Sequence, residues 1–264
     1  MSNSNQTTEV RVPIHEEFTL PSNGIFYGKE IGSSVSLRAM TTMDEKTRLS
    51  STGYTSVINL LNSCVVSPET FDASKLKMFD IEYLLYKLRI VTYGSKYNVR
   101  AYCDHCDKYV DVSVDLDSLG VNTVPEDFTE PFEIGKLPVS GDVLECRILS
   151  IEDTLELQKE AQRMLTKYKY YQGDPTLILI YKYMIYTVNG DILPDYKKQL
   201  YVENMHAMDS RYLDEMYGRK VNGFGLDTTI ETECSICGNP LEFNLPITDE
   251  FFRPKIADWD CGNL

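Results

Sequence analysis

Two Cys-x-x-Cys pairs, Cys103/Cys106 and Cys234/Cys237, lie 127 residues apart in a chain of 264. They constrain the fold more than anything else in the sequence. Two thiolates at this spacing across a tight turn can both point at one metal ion, and two such knuckles supply the four ligands of a closed tetrahedral site. Each pair is flanked by two-residue alternation. Tyr97, Val99 and Ala101 precede Cys103, and Val110, Val112, Val114 and Leu116 follow Cys106; Thr229, Glu231 and Glu233 precede Cys234, and Leu241, Phe243 and Leu245 follow Cys237. This is the pattern of two β-hairpins with a knuckle at each turn. An ordinary zinc ribbon has roughly 15–20 residues between its pairs, so here the ribbon has to be split between distant parts of the chain.

Four thiolates on one structural zinc is the reading these residues favour, with one ion per chain fastening two similar hairpins. By analogy with zinc-finger peptides it would supply folding energy on the order of 10–16 kcal/mol. Two buried inert thiol pairs and a redox-active pair are the competing readings. A thioredoxin-type pair sits at a helix N-terminus after a strand, and neither pair has that context. His105, inside the first knuckle, is expected to face solvent. Cys64 and Cys146 fall among apolar neighbours and read as small core residues, while Cys261 lies in an exposed-looking tail.

The second half of the sequence replays the first. Leu20-Pro21-Ser22-Asn23-Gly24 is matched by Leu137-Pro138-Val139-Ser140-Gly141, and the strand ending Leu37-Arg38 by Cys146-Arg147. Thr42-Met43-Asp44-Glu45 reads as a capping box opening a helix, and Ser150-Ile151-Glu152-Asp153 stands in its place in the second half, opening a helix to about residue 168. Helices are expected from Tyr54 to Val65 and from Ile81 to Val91, the latter paralleled by Leu177 to Val188. From Arg38 to Cys103 is 65 residues and from Arg147 to Cys234 is 87, so the second half carries 22 more. These are placed around 189–217, with an additional helix from Val202 to Met216 whose Val202, Met205, Met208 and Leu213 face inward. Val121 to Pro131, with two prolines and three acids, reads as a linker.

Composition narrows the function. Forty Asp and Glu against 26 Lys and Arg give a net charge of −14, which repels a phosphate backbone and leaves counterion-release binding to nucleic acid without a source. No stretch approaches the roughly 18 apolar residues of a membrane span, and the polar start MSNSNQTTEV lacks the features of a secretory signal, so a reducing cytosol is expected. Nothing reads as catalytic. Four thiolates close a zinc coordination sphere, His15, His105 and His206 belong to no recognisable motif, and there is no Walker loop or GxGxxG. A Tyr-rich stretch (Tyr168, Tyr170, Tyr171, Tyr181, Tyr183, Tyr186) reads either as partly buried packing or as an interaction surface.

The order of these features resembles the baseplate hub and hub-assembly proteins of T-even-like contractile-tailed bacteriophages, from about residue 10 to residue 255. The residues that carry the resemblance are Leu20 to Gly24 with Tyr27, Val35 to Arg38 running into Thr41-Thr42 and Asp44-Glu45, and the knuckle within Tyr97 to Leu116. Asn204 to Leu213, with its central Asp209-Ser210, the knuckle Cys234 to Gly238 and Phe251-Phe252-Arg253-Pro254 extend it, Arg253 standing where the family has Trp. The resemblance implies a non-enzymatic tail protein, a hub component or assembly chaperone. Its partners would be hub, tail tube or tape-measure proteins, with no nucleic acid and no membrane, and with self-association left open. It would work in the host cytoplasm during assembly and in the virion tail if retained.

The expectation is therefore an α+β fold of two degenerate helix-plus-hairpin repeats joined through a split four-cysteine zinc ribbon (Cys103, Cys106, Cys234, Cys237). A flexible arm (1–10), a first repeat (11–124), a linker (125–131), a second repeat (132–255) and a tail (256–264) divide the chain. The alternative function is a zinc-ribbon nucleic-acid-binding or transcription-accessory protein, which a salt-dependent gel shift would reveal.

Overall fold

Leu20 to Gly24 and Leu137 to Gly141 are the two turns around which the chain is organised, and each follows the first strand of a three-stranded sheet. The computed structural model describes residues 15–167 and 173–253. The expected arm at 1–10, Tyr168, Tyr170, Tyr171, Pro254 and the tail with Cys261 lie outside the described residues.

The first sheet is built from β1 (His15–Thr19), then, after the short α1 (Gly28–Ile31), from β2 (Ser34–Arg38). α2 (Thr42–Leu49) and α3 (Gly53–Cys64) intervene before β3 (Val65–Ser67), and a 3-10 turn at Ala73–Lys75 leads into α4 (Met78–Tyr93). The strands are antiparallel in the order β1-β2-β3, with Phe18 opposite Val35 and Leu37 opposite Val65. Alternation puts Val35 and Leu37 inside, and α4 is buried over most of its circumference by Ile81, Tyr83, Leu84, Leu85, Tyr86 and Leu88. The hairpin of β4 (Lys96–Cys103) and β5 (Lys108–Asp115) follows, then β6 (Val121–Asn122).

The second sheet, β7 (Phe132–Lys136), β8 (Val143–Cys146) and β9 (Ile185–Val188), is also antiparallel in chain order, with α5 (Ile151–Lys167) and α6 (Thr176–Met184) between β8 and β9. Then come α7 (Asp195–Glu203), α8 (Ala207–Val221), β10 (Gly225–Leu226) and the hairpin of β11 (Thr229–Glu233) and β12 (Pro240–Asn244). The fold is α+β, with each sheet packing its own apolar cluster.

Both turns are clamped by a buried carboxylate in the first turn of a helix. Asp80 of α4 accepts a hydrogen bond from the Ser22 amide at 3.0 Å and another from the Tyr27 hydroxyl. Asp209 of α8 accepts from the Val139 and Ser140 amides at 2.8 and 3.0 Å. Burial dominates at Asp80 and pushes its carboxyl above the ordinary value. At Asp209 burial also opposes ionisation, but the two amides outweigh it and hold the group below that value. The first turn also needs glycine at 24. Its φ is +74°, and a Cβ there would lie 2.1 Å from the Gly32 carbonyl oxygen.

The helices after β2 and β8 are capped alike. Thr41, not Thr42, caps α2: its Oγ1 accepts from the Asp44 amide, and Asp44 accepts from the Thr41 amide at 2.7 Å. The box thus sits one residue earlier than the Thr42/Glu45 spacing suggests, because Asp44 is also gripped by both terminal nitrogens of Arg38, at 2.7 and 2.9 Å. In the second half Ser150 and Asp153 bond reciprocally at 2.9 and 3.1 Å, and Arg147 holds Asp153 at 2.8 and 2.7 Å.

Two further expectations are corrected. Leu177 to Val188 is not one helix but all of α6 except its first residue, followed by the whole of β9. Val202 to Met216 is broken at Asn204-Met205-His206, where His206 caps α8 through the Met208 amide (3.1 Å), so Val202 and Leu213 are buried while Met208 is 60% exposed. In the acidic stretch at 125–131, Pro125, Glu126, Asp127 and Thr129 are exposed, while Phe128 and Glu130 make contacts. Phe128 stacks edge-on against Phe26 and Phe224, and Glu130 pairs with Lys77 at 3.0 Å. Lys77 also donates to the Ile148 carbonyl, and the Ile151 amide to that of Leu76, so Phe128 and Glu130 border a junction where α4 meets the segment after β8.

Candidate metal centre

The β4–β5 hairpin presents Tyr97, Ala101, Cys103, Val110 and Val114 on its inner face, and its tip reverses through Asp104 to Asp107. The residue after each second cysteine adopts a left-handed conformation, Asp107 at φ +53° and Gly238 at +71°. Glycine takes this conformation without cost and Asp tolerates it, so both C-x-x-C-[D/G] sequences suit the same reversal. In the second knuckle the Cys234 amide donates to the Asn239 carbonyl and the Gly238 amide to that of Cys234, each at 2.8 Å.

The two tips meet. Cys103 Sγ lies 3.8 Å from Cys237 Sγ and Cys106 Sγ 3.8 Å from Cys234 Sγ, and all four sulfurs fall within 4.8 Å of one another. These separations are far beyond the ~2.05 Å of a disulfide. The two 3.8 Å separations match the edges, about 3.8 Å, of a regular tetrahedron around an ion with metal–sulfur bonds of about 2.3 Å. The four cysteines thus form a cluster compatible with one metal ion. Cys103 and Cys234 are buried, Cys106 is half-buried and Cys237 is exposed. Ala101, Val110 and Leu241, with Val112 and Phe243, form an apolar floor beneath the sulfurs.

Electrostatics at the cluster favours a cation. The amides of Cys237 and Ile236 point at Cys234 and bring its thiol down to about 6, while burial and the adjoining sulfurs push Cys106 up to about 12. Four clustered thiols cannot all ionise unless positive charge is supplied, and a bound divalent ion supplies it. His105 is exposed and stands outside the cluster. Cys64 and Cys146 are fully buried in the cores, where burial pushes each thiol up to about 12, as inert thiols require.

Among the remaining described residues singled out by the sequence, Tyr181, Tyr183, Phe251 and Arg253 have structural partners. Tyr181 donates to Asp214 at 2.7 Å and Tyr183 to Glu160 at 3.2 Å, while Tyr186 is exposed. Phe251 is buried between Tyr86 and Tyr97, at ring separations of 4.8 and 5.3 Å, and Arg253 bonds Glu45 of α2 at 2.6 Å. Reasoning from sequence missed the clamp at Asp80. The signal available was an acid at the third position of a helix, where Asp209 also stands.

No described helix is long and apolar enough to cross a membrane. The model of a family described as T4 bacteriophage base plate protein matches residues 14–253. Neither a curated protein nor a solved structure matches the chain.

Proposed function

The chain belongs to the T4 bacteriophage base plate protein family and is a baseplate structural protein, and we propose that it acts in assembly of the central hub through protein–protein contacts, as a hub component or assembly factor. One zinc, held by Cys103, Cys106, Cys234 and Cys237, ties its two hairpins together. The observation that carries the zinc reading is the crossed pairing of sulfurs at 3.8 Å between tips whose cysteines are more than 120 residues apart in the chain. Four thiolates suit zinc and leave no open position for a catalytic water, so the ion is structural and the protein non-enzymatic.

The same reading makes the body a duplicated unit, residues 11–124 and 132–255. Its support is the shared order of strands and helices, the two clamped turns, and the two Arg–Asp capped helices. On this correspondence α6 and β9 answer to α3 and β3, and α8 answers to α4, with Asp209 in the place of Asp80. Arg38 to Val65 is 27 residues and Arg147 to Ile185 is 38; Val65 to Asp80 is 15 and Ile185 to Asp209 is 24. The additional residues of the second half then fall into two insertions, a longer α5 region and α7, rather than one at 189–217.

The test is a phage from which this chain is deleted, with the assembly intermediates separated by sedimentation. Peripheral baseplate parts lacking a hub should accumulate, and complementation with the wild-type chain should restore complete tails. Normal hub-containing baseplates in the deletion would overturn the hub assignment.

A further inference from the structure

The two clamped turns are alike in sequence and bonding but not in their surroundings. Over the first lies an extended segment that the chain supplies itself. The Val124 amide donates to the Pro21 carbonyl at 2.8 Å, and Val124 is buried. Just before it β6 pairs with β10, whose Gly225 lies so close to α4 that a Cβ there would stand 2.8 Å from the Phe79 Cβ. Phe79 also stacks edge-on against Phe224, and Pro21 and Ser22 are buried. The second turn has the same clamp, and among the described residues no such cover. Val139 stands where Ser22 stands, each giving its amide to the helix carboxylate. Met208 stands where Phe79 stands, one residue before that carboxylate. Yet Pro138 is exposed, Val139 is 51% exposed and Met208 60%. Among the described residues no donor reaches the Pro138 carbonyl, the counterpart of the bonded Pro21 carbonyl.

The first turn thus shows what covers such a site: extended backbone, which supplies the amide that a covered carbonyl needs. We propose that the turn at 137–141 docks an extended segment of a partner protein, seated as 121–124 is seated on the first turn. One backbone amide of that segment meets the Pro138 carbonyl, and an aliphatic side chain lies over Val139 and Met208. The chain's own segment does not serve, because the Val124 bond and the pairing of β6 with β10 hold it on the first turn. In a second copy the same segment is held in the same way, and two bodies of net charge −14 repel. The inference rests on the correspondence of the two halves drawn above, with Asp209 in the place of Asp80.

The test titrates the isotope-labelled full chain with a synthetic peptide of the sequence Leu119 to Phe128, the chain's own example of the segment, and follows backbone amide shifts by NMR. The amides of Val139, Ser140 and Met208 should move, while those of Ser22 and Phe79, already covered, should not. Val124→Asp in the peptide and Val139→Asp in the chain should each weaken binding about tenfold, the scale of an interface anchor. Val139→Asp should unfold as the wild type does, because the side chain it alters is in water. No movement at Val139 and Ser140, or equal binding to Val139→Asp, would overturn the inference. Movement at Ser22 and Phe79 instead would overturn it as exchange of the chain's own segment. Binding at least tenfold tighter to a chain lacking residues 1–14 would overturn it in favour of that segment, and a concentration-dependent dimer abolished by Val139→Asp in favour of a second copy. The correspondence of the turns is checked apart from this, by amide exchange in Asp209→Ala, so the two readings fail separately.

Discussion

Cys103 and Cys237 hold their sulfurs 3.8 Å apart although 134 residues separate them in the chain. Cys106 and Cys234 meet in the same way. Each half of the protein thus contributes two of the four sulfurs. The halves are joined elsewhere as well, by the Phe26, Phe79, Phe128 and Phe224 rings and by the Tyr86 hydroxyl on the Leu245 carbonyl at 2.8 Å.

On the zinc reading, stripping the ion with a chelator should loosen the hairpin tips and leave the junction standing. Hydrogen exchange should rise at Ala101, Val110, Val112 and Leu241, which floor the cluster, while the amides of α4 stay protected. Uniform loss of protection through α4 would mean that the ion supports the whole fold.

Asp44 is only 2% exposed and answers to Arg38, Ser63 and Thr41. Replacing it with Ala leaves those donors without their acceptor. Asp44→Ala should cost about 3 kcal/mol in denaturant unfolding, in the range for breaking a buried ion pair. Asp153→Ala should cost less, because Arg147 and Asp153 are both more open to water than Asp44. Equal, small losses would contradict the assigned role of the Asp44 network.

The same two carboxylates set an acid limit. Burial opposes ionisation of Asp44 and Asp153, but hydrogen bonds from Arg38 and from Arg147 outweigh it and hold both below the ordinary carboxylate range. A lowered folded value contributes stability that is fully present above the unfolded value of about 4. That contribution is lost as pH falls toward the folded value. Unfolding free energy should therefore drop between about pH 4 and pH 2, and Asp44→Asn with Asp153→Asn should flatten that limb. An unchanged slope in the double variant would show that other groups carry the acid sensitivity.

The turn clamp predicts a local signature. In Asp209→Ala the amides of Val139 and Ser140 lose their acceptor, so their exchange should quicken while Leu144 and Ile185 in the adjoining sheet remain slow. Unchanged exchange at Val139 and Ser140 would remove Asp209 from that role.

Local chemistry was legible where one residue type answers one geometry. Both hairpins, both knuckles and the cores around Cys64 and Cys146 follow from alternation, spacing and apolar context. Failures arose where a contact outside the local pattern, or a uniform apolar run, decided the matter. Thr42/Glu45 has the right spacing for a cap, but Arg38, at the end of the preceding strand, grips Asp44, and Thr41 pairs with it as the cap. Met208 fits an inward helical period, yet His206 starts a new helix two residues earlier and turns Met208 outward. Leu177 to Val188 is apolar throughout, so periodicity alone does not show where α6 gives way to β9. Phe128 lies within an acidic, proline-flanked run, and only its ring contacts reveal that this one side chain is packed.

The most direct test of the central claim is elemental analysis of metal per chain in the wild-type protein and in Cys106→Ser and Cys237→Ser, with oligomeric mass measured on the same samples. A single shared site predicts one zinc per chain in the wild type and none in either variant, since each knuckle supplies half of one coordination sphere. Two ions per chain, or metal retained in either variant, would contradict it.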